Sequence, residues 1–310
     1  MTVEQMLIAL EVLPVALIQR HFAYLGLGSI LHYTSRQRLM RKVRRMVEDG
    51  ELSRDQLHGL LIDFFESGSK RVYLFRPPVD LSPTVSNLPQ QIGDLANAPL
   101  VTSSARPRHV YSLVTASALR LSFIESHTDW LKDIQAERLI RQDLPRRAVF
   151  QLQRITGESS LALDPPGDVN PHGSALAYYN YYRDRVQTLL GIPFDPLLLH
   201  DALSNIDAHD ITVMKFLSSR SGDASTFTVS NETEVRTSQP FASASATIVE
   251  RSAARLHWKT GIVCETTDGP VSLQRSVRTD VDADAGSVRF NSETLSSEIA
   301  YVLAQLRAHL

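Results

Sequence analysis

Residues 53–76 read SRDQLHGLLIDFFESGSKRVYLFR, and the pattern changes period partway along. Ser53 and Gln56 have the spacing of a capping box, in which each side chain accepts a hydrogen bond from the other residue's backbone N–H at a helix start. Leu57, Leu60, Leu61, Phe64 and Phe65 then recur at steps of three and four, the apolar stripe of an amphipathic helix. Gly68 is placed to stop it. Arg71-Val72-Tyr73-Leu74-Phe75-Arg76 follows, and its β-branched and aromatic content predicts a short strand. A helix that feeds directly into a strand points to an α+β fold.

The same signals extend upstream. Thr2 and Gln5 have capping-box spacing ahead of Val3, Met6, Leu7 and Leu10. Pro14 suits the first turn of a second helix, which Gly26 and Gly28 would end. Thr34 and Gln37 repeat the cap before Leu39, Val43, Met46 and Val47, and Gly50 can close that helix. Residues 1–76 are therefore expected to form a helical module that ends in a strand.

Downstream, residues 77–107 hold six of the 15 prolines, interspersed with Ser, Thr and Asn. Proline lacks a donor and biases its predecessor toward extended geometry, so this segment reads as a linker. Residues 108–310 read as an α+β interaction domain. Leu119, Leu121 and Phe123 alternate with Arg120 and Ser122, and Phe150 and Leu152 alternate with Gln151 and Gln153, as in half-buried strands. Helices are expected over 128–141 and 174–190. Alternating Thr, Val and Ser between 225 and 290, with an Asp268-Gly269 turn signal, predict an antiparallel meander. Leu295, Ile299, Val302, Leu303 and Leu306 predict a C-terminal amphipathic helix.

Composition excludes several classes. Of 310 residues, 43% are apolar and 21% charged, which is ordinary globular usage and not that of a disordered, collagen-like or coiled-coil chain. The single cysteine, Cys264, excludes an internal disulfide framework and fits a reducing compartment. The apolar start lacks a basic region and is interrupted by Glu4 and Glu11, and no stretch reaches the roughly 18 apolar residues of a spanning helix. The expectation is a cytoplasmic protein with no membrane partner.

A net charge of −2 gives no global attraction to nucleic acid, but the charge is uneven. Residues 1–160 carry a balance of +4 and residues 161–310 one of −6. The excess is concentrated in TSRQRLMRKVRRM, residues 34–46. At about 100° per residue, Arg38, Arg41, Lys42 and Arg45 share one face, opposite the apolar stripe. A docked helix would hold four cations in a row for a phosphate backbone, and an Arg can engage phosphate through two donors at once. The plainer reading is a solvated face salted by Glu48, Asp49 and Glu51.

Residues 8–76 resemble the N-terminal helical region of the CENP-N/Chl4 kinetochore family. The likeness lies in Leu13-Pro14 before a helix, Arg36-Gln37-Arg38 opening the basic helix, the Leu and Phe spacing after Asp55, and the Lys70 to Phe75 strand. In that family the region supports binding to nucleosomal DNA and histone. The resemblance implies DNA contact by the basic helix and assigns no histone-reading residue. It covers under a quarter of the chain.

Candidate chemistry is sparser. His200, Asp201, Asp207, His209 and Asp210 form the densest His/Asp cluster, a set that could hold a divalent metal and activate water. Asp280, Asp282 and Asp284 match the opening spacing of a calcium loop, but Ala285 and Asn291 stand where that loop needs Gly and Glu, so a polar connection before a strand near Val288 is expected. Tyr178, Tyr179, Tyr181 and Tyr182 could stack on bases, yet four on one helical segment cannot share a face, so some belong to a core or interface. Cys264 reads as a packed thiol. No phosphate-binding loop, dinucleotide fingerprint or nucleophile elbow occurs, so no cofactor is expected.

Two functions follow as expectations. One is a non-enzymatic nucleic-acid-binding protein or adaptor, with DNA the expected partner and the α+β body available for protein contact or self-association. The other is a metal-assisted hydrolase of a phosphate ester, using the 200–210 cluster.

Overall fold

The structure is a computed structural model that describes residues 3–11, 15–24, 26–27, 32–33, 35–66, 69–77, 108–114, 118–133, 138–154, 156–164, 175–206, 209–221, 226–231, 234–244, 248–266, 269–291 and 294–310. It is a mixed α+β fold. Four helices come first: α1 (Val3–Glu11), α2 (Val15–Tyr24), α3 (Arg36–Glu48) and α4 (Arg54–Glu66). They bury the predicted apolar stripes against one another, with Leu10, Ile18, Phe22, Leu39, Val43 and Leu57 wholly inside. The Ser53 capping box forms: Gln56 N–H donates to Ser53 Oγ (3.1 Å) and Ser53 N–H donates to Gln56 Oε1 (2.8 Å). At the start of α3 the expected cap shifts by one residue. Ser35, extended at φ −93° and ψ 127°, is the N-cap and makes no side-chain cap bond. Gly50, at φ 74°, closes α3 and lets Leu52 turn back to donate to the Met46 carbonyl (2.9 Å). Thr2, Pro14, Gly28, Thr34, Gly68 and the proline-rich segment beyond Pro77 lie outside the described residues.

The strand β1 (Arg71–Phe75) that follows α4 does not stay with the helices. It pairs antiparallel with β5 (Ser159–Leu163) on one side and β12 (Ser287–Phe290) on the other. It thereby joins two wings of a ten-stranded sheet of order β2-β3-β4-β5-β1-β12-β11-β8-β6-β7, antiparallel throughout. One wing contains β2 (Arg108–Val114), β3 (Ala118–Asp133), β4 (Arg138–Gln153) and β5. The other contains β6 (Thr212–Ser221), β7 (Thr226–Ser230), β8 (Ile248–Trp258), β11 (Val277–Asp282) and β12. A separate two-stranded hairpin pairs β9 (Val263–Thr266) with β10 (Gly269–Ser272).

Both faces of β1 are buried, each by a different core. Val72 and Leu74 face the cluster built with α6 (His200–Ile206) and α8 (Ser296–Ala308). Tyr73 and Phe75 face the cluster built with α5 (Ala175–Leu190), where the rings of Tyr73 and Tyr179 stack at 4.0 Å. The predicted helices at 174–190 and at the C-terminus are present. Glu298 caps α8 by accepting from Leu295 N–H (2.9 Å) and pairs with Arg275 (3.0 and 3.1 Å). Leu295 itself packs into the helical module's core, so α8 links that module to the sheet.

Two expectations fail. Residues 128–133 and 138–141 belong to β3 and β4, not to a helix. These strands pair residue by residue from Ala118↔Gln153 to Asp133↔Arg138, and that long ladder overrides the local helical spacing. The 225–290 region is not a simple meander: α7 (Gln239–Ala244) interrupts it, and β8 pairs with β6 and β11 rather than with its chain neighbours. Asp280 lies within β11, and the connection to β12 is the tight turn 283–286, where Asp282 accepts from Ala285 N–H (3.0 Å).

Two stability predictions follow. His21 is 3% exposed within the helical core, and burial, aided by Arg20, lowers its pKa to about 4. The unfolded chain thus binds the proton more readily, so this contribution is full above the ordinary imidazole range and is lost as pH falls from about 6.5 to 4. Replacing His21→Phe is expected to shrink the difference in unfolding free energy between pH 7 and pH 4.5 by about 2 kcal/mol, read from urea denaturation. Gly286 sits at φ 58°, and a Cβ there would lie 2.3 Å from the Leu197 carbonyl oxygen. Gly286→Ala should cost ~2–4 kcal/mol. Gly191→Ala, at φ 65° with open space around it, should cost only about 1 kcal/mol.

Candidate nucleic-acid interface

The basic helix α3 is fixed from beneath. Leu39, Met40, Val43 and Met46 are buried in the module core, which orients the opposite face outward. Arg38, Arg41 and Arg45 are exposed on that face, at spacings that span about 10 Å along the axis. Among the described residues, their side chains make no hydrogen bond or ion pair. Arg45 lies in the last turn, where the helix dipole favours a cation. Lys42 shares the face but is half-buried, with Nζ 3.5 Å from Glu51 Oε2. Arg44 points elsewhere: it binds Glu4 of α1 through both nitrogens (2.8 and 3.1 Å), and Glu4 raises the guanidinium pKa further. The acidic residues after the helix therefore engage one of the four predicted cations and leave three open. Such a row can donate charge-assisted bonds to successive phosphates while the helix itself needs no rearrangement.

The His/Asp cluster is dispersed. His200, at the start of α6, donates from Nδ1 to the Arg251 carbonyl (2.9 Å), and its Nε2 lies 3.3 Å from both Glu250 and Asp284. Asp201 is exposed. His209 stacks edge-on against His309 at 4.7 Å, and Asp210 pairs with Lys259. Asp207 lies outside the described residues. Among the described residues, no group of three or more His, Cys, Asp or Glu is arranged to hold a metal ion.

The tyrosines belong to the core. Tyr178, Tyr179 and Tyr182 are at most 5% exposed beneath α5, which removes them from any stacking surface. Asp280 pairs with Arg255 (2.7 Å) and Asn291 (2.8 Å), and these partners outweigh burial and hold its carboxyl below the usual range. Cys264 is half-buried against the sheet core, and burial with the Glu265 charge pushes its thiol up.

Sequence reasoning missed a second gathering of cations. Lys215 of β6, His257 of β8 and Arg278 of β11 meet on one face of the sheet. The local signal was legible, since His257 alternates with buried Leu256 and Trp258, and Arg278 with buried Val277 and Thr279. Their adjacency was not, because it rests on strand pairing across the chain. No described helix is long and apolar enough to cross a membrane. Compared with known proteins, the chain matches no family model and no curated protein.

Proposed function

We propose that this chain is a non-enzymatic nucleic-acid-binding protein, with duplex DNA as the expected partner and α3 as its phosphate-contacting surface. The observation that carries the reading is the exposed row of Arg38, Arg41 and Arg45 on a helix whose other face is locked in a core. Arginine holds its charge at any physiological pH and matches phosphate with a planar fork of donors. Contacts of this kind position a protein on a backbone and carry no base code, so the binding is weakly sequence-selective. The resemblance of residues 8–76 to the CENP-N/Chl4 region agrees in implying DNA contact by the same helix. The α+β body is then the part available to protein partners, which makes the chain an adaptor between nucleic acid and protein.

Replacing Arg38, Arg41 and Arg45 by Gln preserves helix propensity and leaves the buried stripe intact, so the fold should survive. On duplex DNA the dependence of log affinity on log salt should become shallower by about 0.9 per lost contact, or roughly 2.7 for the triple variant. The measurement is fluorescence anisotropy over a salt series, with circular dichroism to confirm folding. An unchanged slope in a folded variant would leave the row as a solvated surface, and a parent that binds no nucleic acid at low salt would remove the reading altogether.

A further inference from the structure

The sheet carries a cationic surface that α3 does not explain. On the side where α5 covers β3, β4, β5 and β1, the remaining strands direct other residues outward. The cross-strand registers place Arg289 opposite Asp280, Asp280 opposite Arg255, and Arg278 opposite His257, all on that face. A depression of about 460 Å³ lies there, lined by Val213, Lys215, His257, Lys259, Thr260 and Ser276. That volume is within the range of small-molecule sites.

A β-bulge shapes it. The β6–β8 register advances from Met214↔Leu256 to Phe216↔Arg255, which makes Lys215 the extra residue. Bulges re-aim side chains, and here Val213 and Lys215 both line the depression. Lys215, His257 and Arg278 thus stand on one face of three adjacent strands, an arrangement of like charges that folding alone disfavours. Burial and then the charges of Arg278, Lys215 and Arg255 hold the His257 imidazole below its ordinary range, against a smaller opposing pull from Asp280. Ion pairs close both flanks, Arg255 with Asp280 and Lys259 with Asp210. The open positive stretch therefore covers three strands, about 10 Å. That width suits one phosphate group and falls short of a nucleic-acid strand.

We propose that this depression binds a phosphate-bearing small molecule, with His257 at its centre, Lys215 and Arg278 as its charge partners, and the Thr260 and Ser276 hydroxyls as further donors. The site is separate from α3 and stands whether or not α3 binds nucleic acid. The imidazolium is the binding form, so an anion that binds here raises the His257 midpoint, and affinity strengthens as pH falls through the imidazole range.

The test follows the His257 ring by NMR across a pH series on the full chain, in inorganic phosphate and in chloride at matched ionic strength. Phosphate should raise the His257 midpoint and chloride should not. Lys215→Gln and Arg278→Gln should each weaken phosphate binding about tenfold, while the Arg38, Arg41 and Arg45 triple variant should leave it unchanged. Equal midpoints in the two salts, a comparison that needs no variant, would overturn the site. So would phosphate affinity that survives both substitutions. A single-stranded oligonucleotide that moves the His257 signals, where a mononucleotide and inorganic phosphate do not, would overturn the small-molecule assignment in favour of a polymer surface.

Discussion

The fold depends on where β1 is hydrogen-bonded. Five residues, Arg71 to Phe75, donate and accept on both edges, to β5 and to β12. A strand in that position is the only backbone link between the two wings of the sheet. Its side chains are equally divided, with Val72 and Leu74 in one core and Tyr73 and Phe75 in the other. The strand that ends the helical module is therefore shared with the body. Its ends are tied as well: Phe290 N–H donates to the Lys70 carbonyl (2.7 Å), buried Lys70 pairs with Asp164, and Leu74 N–H donates to the Gly286 carbonyl (2.8 Å). The turn at Gly286 has no room for a side chain because the segment at Leu197 crosses directly over it.

That arrangement positions both charged surfaces. The helical module is joined to the sheet through β1 at one end of α4 and through Leu295 at the start of α8. α3 is consequently carried on a rigid base, and its arginines need little ordering to meet a row of phosphates. The second surface arises because α5 covers only the wing on its own side of β1. On the other wing the same face stays open, and strand alternation fills it with charged residues. The two surfaces differ in kind. α3 presents three exposed guanidiniums along a convex ridge, whereas the sheet gathers its charges around a depression and brackets them with ion pairs.

What the sequence determined by itself was local. Capping chemistry at Ser53 and Gln56, the stop at Gly50, and the apolar stripes of α3, α4 and α8 each depend on residues within a few positions of one another, so periodicity reports them directly. The basic face of α3 was legible for the same reason, because a helix fixes which of its own side chains are neighbours. Only the tertiary structure decided the rest. The 128–141 region has helical spacing, yet the β3–β4 ladder claims its backbone. β1 reads as the end of a helical module and becomes the centre of a sheet, because its partners lie about 90 and 215 residues further on. The His200 to Asp210 cluster is dense in sequence and scattered in space, since α6 and the turn after it send each side chain to a different element. Lys215, His257 and Arg278 show the converse, being distant in sequence and brought together by strand register. Strand pairing is a non-local interaction with no fixed sequence separation, and for that reason it leaves no period for the sequence to show.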